Sequence, residues 1–241
     1  MIRLDKYLAD MGIGTRQEVK RYIRKGQVMV NQKIVKAPEH KLKEEDDQVF
    51  VDGRRIDYVS YEYYMLNKPA GVVSATEDLR ETTVIDLIRD RKRKDLFPAG
   101  RLDKDTEGLL LITNDGQLAH RLLSPRHHVD KTYYARIRGC VTEEDAAGFA
   151  AGVDIGAPGA GELTMPARLE ILRSGSESEI LLTIQEGKYH QVKRMFQAIG
   201  KEVVYLRRER MGSLVLDKEL KPGEYRPLTE KELENVKNED A

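Results

Sequence analysis

Cysteine is nearly absent. Cys140 stands alone, which excludes an internal disulfide and any cysteine-based zinc site. No apolar run approaches the length that a bilayer crossing needs. The first residues, MIRLDKYLADMGIG, are charged and amphipathic, without the apolar block or cleavage site of a secretory signal. The phosphate-binding fingerprints G-x-G-x-x-G and G-x-x-x-x-G-K-[ST] are missing too, which argues against a nucleotide cofactor. No repeat of fixed period occurs. These absences predict a cytoplasmic protein without a membrane partner. Its 241 residues, 40% hydrophobic and 34% charged, suffice for one substantial core and a small second domain. Cys140 reads most simply as a small buried residue.

Net charge is lacking as well, because 41 basic side chains balance 41 acidic ones. The distribution is uneven. Residues 16–25, RQEVKRYIRK, hold Arg16, Lys20, Arg21, Arg24 and Lys25 against Glu18 alone, and RDRKRK (89–94) and YLRRER (205–210) are also basic. Acid gathers in KEEDDQ (43–48) and in TEKELENVKNEDA at the end. Local patches, more than the total, decide affinity for a polyanion. One basic run alone reads as a solvated face; three beside the motifs below point to nucleic acid.

The spacing of Leu4, Tyr7, Leu8 and Met11 predicts a helix over 3–11, closed by Gly12 and Gly14. Thr15 and Glu18 form a capping box that opens a second helix to about Lys25, with Gly26 at its end. Val19, Tyr22 and Ile23 make its inward stripe, so the cations lie mainly outward. QVMVNQKIV and QVFVDGRRI alternate as strands, turned at Asn31 and at Asp52-Gly53. A compact RNA-docking unit over 1–58 follows. The stretch RLDKYLADMGIGTRQEVKRYIRKGQVMVNQK resembles the small RNA-binding S-four domain.

Beyond it, YEYYMLNKPAGVVSA predicts strand, turn and strand, and TTVIDLIRD a short helix capped by Thr82 or Thr83. QLAHRLLSP reads as a helix stopped by Pro125, KTYYARIRG as a strand, and TEEDAAGFAAG as a helix ended by Gly152. IGAPGAGELTM is expected to form a hairpin loop. ARLEILR, EILLTIQEG and EVVYLRRERMGSLVL add strands, with the helix KYHQVKRMFQAIG between two of them. The pattern predicts an α+β domain over 59–231, built on a mainly antiparallel mixed sheet with flanking helices, and an acidic tail over 232–241.

AGRLDKDTEGLLLITNDG, residues 99–116, alternates Asp103, Asp105 and Glu107 ahead of a buried-looking strand. As a calcium loop it fails, because the bidentate glutamate falls on Asn114 and LLLIT is a strand. Asp103 and Asp105 would serve as an acid and base pair, although Arg101 and Lys104 favour ionised carboxylates over a raised-pKa acid. A single ionised nucleophile beside cations suits the same residues, and so does a plain turn cap. These three readings stay open on composition alone.

The segment GRLDKDTEGLLLITNDG is similar to the signature of pseudouridine synthases, in the branch that modifies ribosomal RNA and carries an S-four domain. NKPAGVVSA, SPRHHVDKTYYARIRG, EGKYHQVKRMFQAIG and LRRERMGSLVL extend the resemblance over nearly the whole chain. It implies isomerisation of uridine in RNA with Asp103 as the catalytic carboxylate. Lys193 matches the basic position that pairs with this aspartate, and Arg194 is the alternative partner. Tyr133 matches the catalytic tyrosine that stacks on the target base and assists proton transfer at the uracil, whereas a core role suits Tyr134 better. Arg101 looks like the arginine that fills the gap or holds phosphate once the base is flipped. Leu206 resembles an apolar wall of the pocket, and Arg16, Lys20, Arg21, Arg24 and Lys25 would bind RNA.

Asp105 is expected to belong to the turn, and His190 to orient a loop. His127 and His128 lack a third ligand and suit RNA-backbone contact or surface exposure more than zinc. No metal and no cofactor is implied, since isomerisation needs neither redox nor energy input. SPRHHVDKTY resembles members acting on 16S rRNA at the uridine labelled 516. The same chemistry on 23S rRNA is the alternative, because relatives acting there share the fold and the aspartate. The implied partner is an assembling small ribosomal subunit, met by a monomer. A ribosome-assembly factor without activity is the rival reading, and the intact set Asp103, Tyr133 and Lys193 argues against it.

Overall fold

The computed structural model describes residues 1–157 and 161–238, and the chain divides into two units. The first comprises Met1–Glu62 with Arg89–Leu96, and the second Tyr63–Ile88 with the chain from Phe97 onward. In the first unit β1 (Ile2–Arg3) leads into α1 (Leu4–Asp10), and α2 (Arg16–Arg24) follows. The capping box forms: the Thr15 hydroxyl accepts the Glu18 N–H at 3.3 Å, and the Glu18 carboxylate accepts the Thr15 N–H at 2.8 Å. Val19 and Ile23 of α2 pack with Leu4, Tyr7, Leu8 and Val28 in this unit's core. Two hairpins, β2 (Val28–Val30) with β3 (Lys33–Ile34) and β5 (Val49–Val51) with β6 (Arg54–Ile56), join in the order β3-β2-β5-β6. Their turns, Asn31-Gln32 and Asp52-Gly53, have positive φ throughout, as two-residue turns on twisted strands require. β4 (Lys41–Leu42) pairs with β1.

The second unit is built on a nine-stranded sheet. Its order is β11 (Arg168–Arg173), β12 (Glu177–Ile184), β10 (Lys131–Arg138), β13 (Glu202–Met211), β9 (Glu107–Thr113), β7 (Tyr63–Lys68) and β15 (Tyr225–Pro227). β8 (Phe97–Pro98) joins β9, and β14 (Leu214–Val215) joins β13. Among the described residues every pairing in this sheet is antiparallel except β13 with β9. The helices are α3 (Gly116–Leu123), α4 (Glu143–Ala151), α5 (Gln191–Ala198) and α6 (Glu230–Lys237). Met65, Leu109, Leu111, Leu118, Leu122 and Met211 form a core between β7, β9, β13 and α3. The expected α+β class, with its mainly antiparallel mixed sheet, holds. Among the described residues no helix is long and apolar enough to cross a membrane.

Several local expectations change. TTVIDLIRD forms turns and no α-helix. Thr83 and Asp86 do make a reciprocal cap, but the bonds that follow are of the i to i+3 kind, and Val84, Ile85 and Ile88 are buried β-branched residues with little helix preference. After the Lys-Pro-Ala-Gly turn only Val73 pairs, by a single bridge to Thr83. Much of the acidic tail is helix α6, whose Val236 is buried in the core. Residues 239–241 lie outside the description. So does the tip of the expected hairpin, 158–160, although Asp154 and Leu163 bridge antiparallel at its base. Cys140 is exposed, with its thiol 3.2 Å from the Ser174 hydroxyl. Two basic runs are partly internal. Arg93, 5% exposed, forks onto Asp95 at 2.8 and 2.6 Å and lies 3.4 Å from Asp10. Arg208, 2% exposed, donates to the Leu109 carbonyl.

Candidate active site

The loop that carries Asp103 is held from below by the NKPAGVVS segment. Lys68 leaves the end of β7 with no exposed surface and donates to the carbonyls of Pro69, Lys104 and Thr106 at 3.0, 3.2 and 2.9 Å. The Gly71 N–H donates to the Lys104 carbonyl at 2.7 Å. The Ser74 hydroxyl donates to the Leu102 carbonyl at 2.8 Å and accepts its N–H at 3.1 Å. The loop closes on itself through the Thr106 N–H and the Asp103 carbonyl. Buried backbone groups need partners, and these bonds supply them while fixing where Asp103 points. Burial pushes the Lys68 ammonium down to about 8, against the pull of Asp105, Glu107 and Asp103.

Asp103 faces a pocket lined also by Arg101, Leu102, Thr106, Tyr133, Ile184, His190, Lys193 and Leu206. Its carboxylate is 27% exposed, with Lys193 Nζ 3.2 Å from one oxygen and His190 Nε2 3.5 Å from the other. Lys193 is shared, because its ammonium also lies 2.6 Å from Asp105. Burial draws the Lys193 ammonium down, but bonds to Asp105 and Asp103 outweigh it and hold it above the ordinary lysine range. Asp105 is likewise below the usual carboxylate range: burial raises it, and the bond and charge of Lys193 more than reverse that. The site therefore offers one half-buried carboxylate beside a firmly protonated cation, next to an aromatic ring and an apolar wall.

Tyr133 and Leu206 reach the pocket because side chains alternate on β10 and β13. The β10–β13 pairing shifts register between Thr132 and Tyr133, and such bulges re-aim side chains. Tyr134 occupies the other face, half-exposed, and not the core as expected. Its hydroxyl donates to Glu179 at 2.9 Å, and its ring meets Tyr205 edge-on with Arg207 above it. Arg101 is exposed at the pocket.

Arg194 is not an alternative partner for Asp103. Adjacent residues on a helix point about 100° apart, and Arg194 turns to Glu162 and the carbonyls of Ile155 and Tyr189. His190 does more than orient a loop, since its ring lines the pocket. Asp105 is an ion-pair partner and not merely a turn residue. Lys104, whose charge was expected to act on the carboxylates, bonds Glu81 at 2.8 Å. Lys68 and Ser74 were missed. Their signal was a lysine and a serine in a strand and turn otherwise apolar but for Asn67, and the carbonyl partners lie far along the chain.

On α2, Arg16, Arg21 and Arg24 are exposed, as is Lys25 just past its end, while Lys20 is half-buried and 4.0 Å from Asp5. These residues belong to the first unit and the pocket to the second. His127 and His128 are exposed. Among the described residues no group of three His, Cys, Asp or Glu side chains is arranged to hold a metal ion.

Residues 62–198 match the RNA pseudouridylate synthase family, and residues 2–49 match the S4 domain. The chain is 51% identical over 234 residues to the uncharacterized RNA pseudouridine synthase YtzG of Bacillus subtilis (strain 168), covering 96% of this chain and 97% of that one. It is 46% identical over 235 residues to ribosomal small subunit pseudouridine synthase A of Vibrio cholerae serotype O1, covering 98% and 99%. A crystal structure of a pseudouridylate synthase, 40% identical, matches with a TM-score of 0.68 over 98% of this chain and 100% of that one.

Proposed function

The chain belongs to the RNA pseudouridylate synthase family, and from that membership we propose that it isomerises one uridine of 16S ribosomal RNA, with Asp103 as the catalytic carboxylate. The reaction breaks the bond from the ribose carbon to uracil N1, turns the base, and joins the same carbon to uracil C5. C5 gives up its proton and N1 gains one, so the balance needs no oxidant, reductant or cofactor. Asp103 either attacks the sugar carbon or removes a sugar proton, and both routes need it ionised. The observation that carries this reading is the Asp103 carboxylate 3.2 Å from Lys193 in a pocket bounded by Tyr133 and Leu206. Tyr133 would stack on the flipped uracil, Leu206 would cover its edge, and Arg101 would hold phosphate at the mouth.

The small-subunit target is supported by the Vibrio cholerae relative, whose name places its substrate there and whose identity spans nearly all of both chains. The finer assignment, uridine 516, rests on the loop SPRHHVDKTY. Tritium release from 16S RNA labelled at uridine C5 tests the chemistry. Asp103→Asn is expected to lose at least about 100-fold in turnover while keeping its fold and RNA affinity. Asp105→Asn should stay within about tenfold, because loss of one partly exposed ion pair is worth about 1 kcal/mol. Equal losses would favour a paired-carboxylate mechanism. Pseudouridine mapping of rRNA from cells lacking the protein identifies the base.

A further inference from the structure

Tyr189 sits on the loop between β12 and α5 with 75% of its surface open, while its neighbours Lys188 and His190 line the pocket. Consecutive side chains on regular elements diverge. Here they meet, because His190 adopts the left-handed conformation (φ 49, ψ 34) and the two rings stack with centroids 3.8 Å apart and planes at 19°. That conformation is uncommon for a non-glycine residue and costs energy, so the surroundings must hold it. Arg194 donates to the Tyr189 carbonyl at 3.1 Å, and the Lys188 N–H donates to the Gln191 side chain at 2.8 Å. Gln191 in turn donates to Glu186, which accepts the Met165 N–H. The tyrosine is thus presented on a pinned loop, one ring away from Asp103.

A lone exposed aromatic is ordinary. One held in a strained turn against the wall of a pocket, burying little surface itself, is not accounted for by core packing. We propose that Tyr189 is a stacking platform for the nucleobase next to the target uridine. This inference rests on the proposed reaction. Flipping the uridine leaves its neighbours without a stacking partner on one side. An aromatic ring supplies one without demanding a particular base. His190 backs the platform, and Arg101, exposed at the same pocket, would meet the intervening phosphate.

The test pairs kinetics with a fluorescent base. Tyr189→Ala should raise KM for a 16S RNA fragment by roughly 5- to 150-fold, the range for losing one base–aromatic stack, and leave kcat within about twofold. Tyr189→Phe should behave as the wild type. With 2-aminopurine on either side of the target, wild type and Tyr189→Phe should quench fluorescence at one of the two positions, and Tyr189→Ala should not. An unchanged KM in Tyr189→Ala overturns the platform. So does an absence of quenching by the wild type at both positions, which needs no variant to fold. If the wild type released no tritium from this RNA, the underlying reaction would fall instead.

Discussion

Lys68 shows how a single residue ties the site to stability. Its ammonium is buried against three carbonyls and titrates near 8 in the folded protein, against 10.5 for an ordinary lysine. Between those values the unfolded chain binds a proton that the folded protein has released. Stability from this group therefore rises with pH across that window. Below pH 8 both states are protonated, and the folded state bears the cost of the buried charge. Lys68→Met removes the titration. The unfolding free energy of wild type relative to Lys68→Met should grow between pH 8 and 10, read from urea midpoints. Lys131, also held near 8 by burial and by Arg208, is common to both proteins and cancels. A difference that stayed flat with pH would mean that Lys68 keeps its proton throughout.

At the scale of elements, the parallel pairing of β9 with β13 joins the strand following Asp103 to the strand carrying Leu206. It depends on Gly108, which lies opposite Arg208 with φ +102. A Cβ there would collide with the Arg208 carbonyl oxygen and stand 2.7 Å from its nitrogen, and backbone atoms cannot swing aside as a side chain can. Gly108→Ala should cost at least about 3 kcal/mol, from overpacking together with strain at positive φ. Activity should fall with it. Urea denaturation followed by circular dichroism measures the loss, and a cost below about 1 kcal/mol would show that the strands part easily. Capped helices such as α2 and α4 were legible because their signals are local. TTVIDLIRD carried the same capping signal, yet only isolated i to i+3 turns follow it.

At the scale of the whole molecule, the proposed function divides the work between a unit that holds RNA and a unit that changes it. The exposed cations of α2 would neutralise phosphates, and removing one such ion pair flattens the slope of log affinity against log salt by about 0.7 to 0.9. Replacing Arg16, Arg21 and Arg24 by alanine should weaken 16S RNA binding and flatten that slope by roughly 2 to 3. The maximal rate at saturating RNA should change little. Turnover against RNA concentration at several salt levels checks both. Normal binding with a reduced maximal rate would put this helix in the active site.

Several features were set by the sequence alone: the α+β class, the first two helices and their hairpins, and the family motif around Asp103. Each rests on neighbours within a few positions, where periodicity, capping and turn chemistry act directly. The tertiary structure decided which charges are free. RDRKRK and YLRRER look like α2 in composition, but Arg93 and Arg208 are buried by residues distant in the chain. It likewise chose Lys193 over the adjacent Arg194, because only the helix phase of α5 distinguishes them. It also made Lys68 the support of the Asp103 loop, 36 and 38 residues away along the chain from two of its carbonyl partners. Bonds of that span depend on how strands are ordered in the sheet, and no local pattern encodes that order.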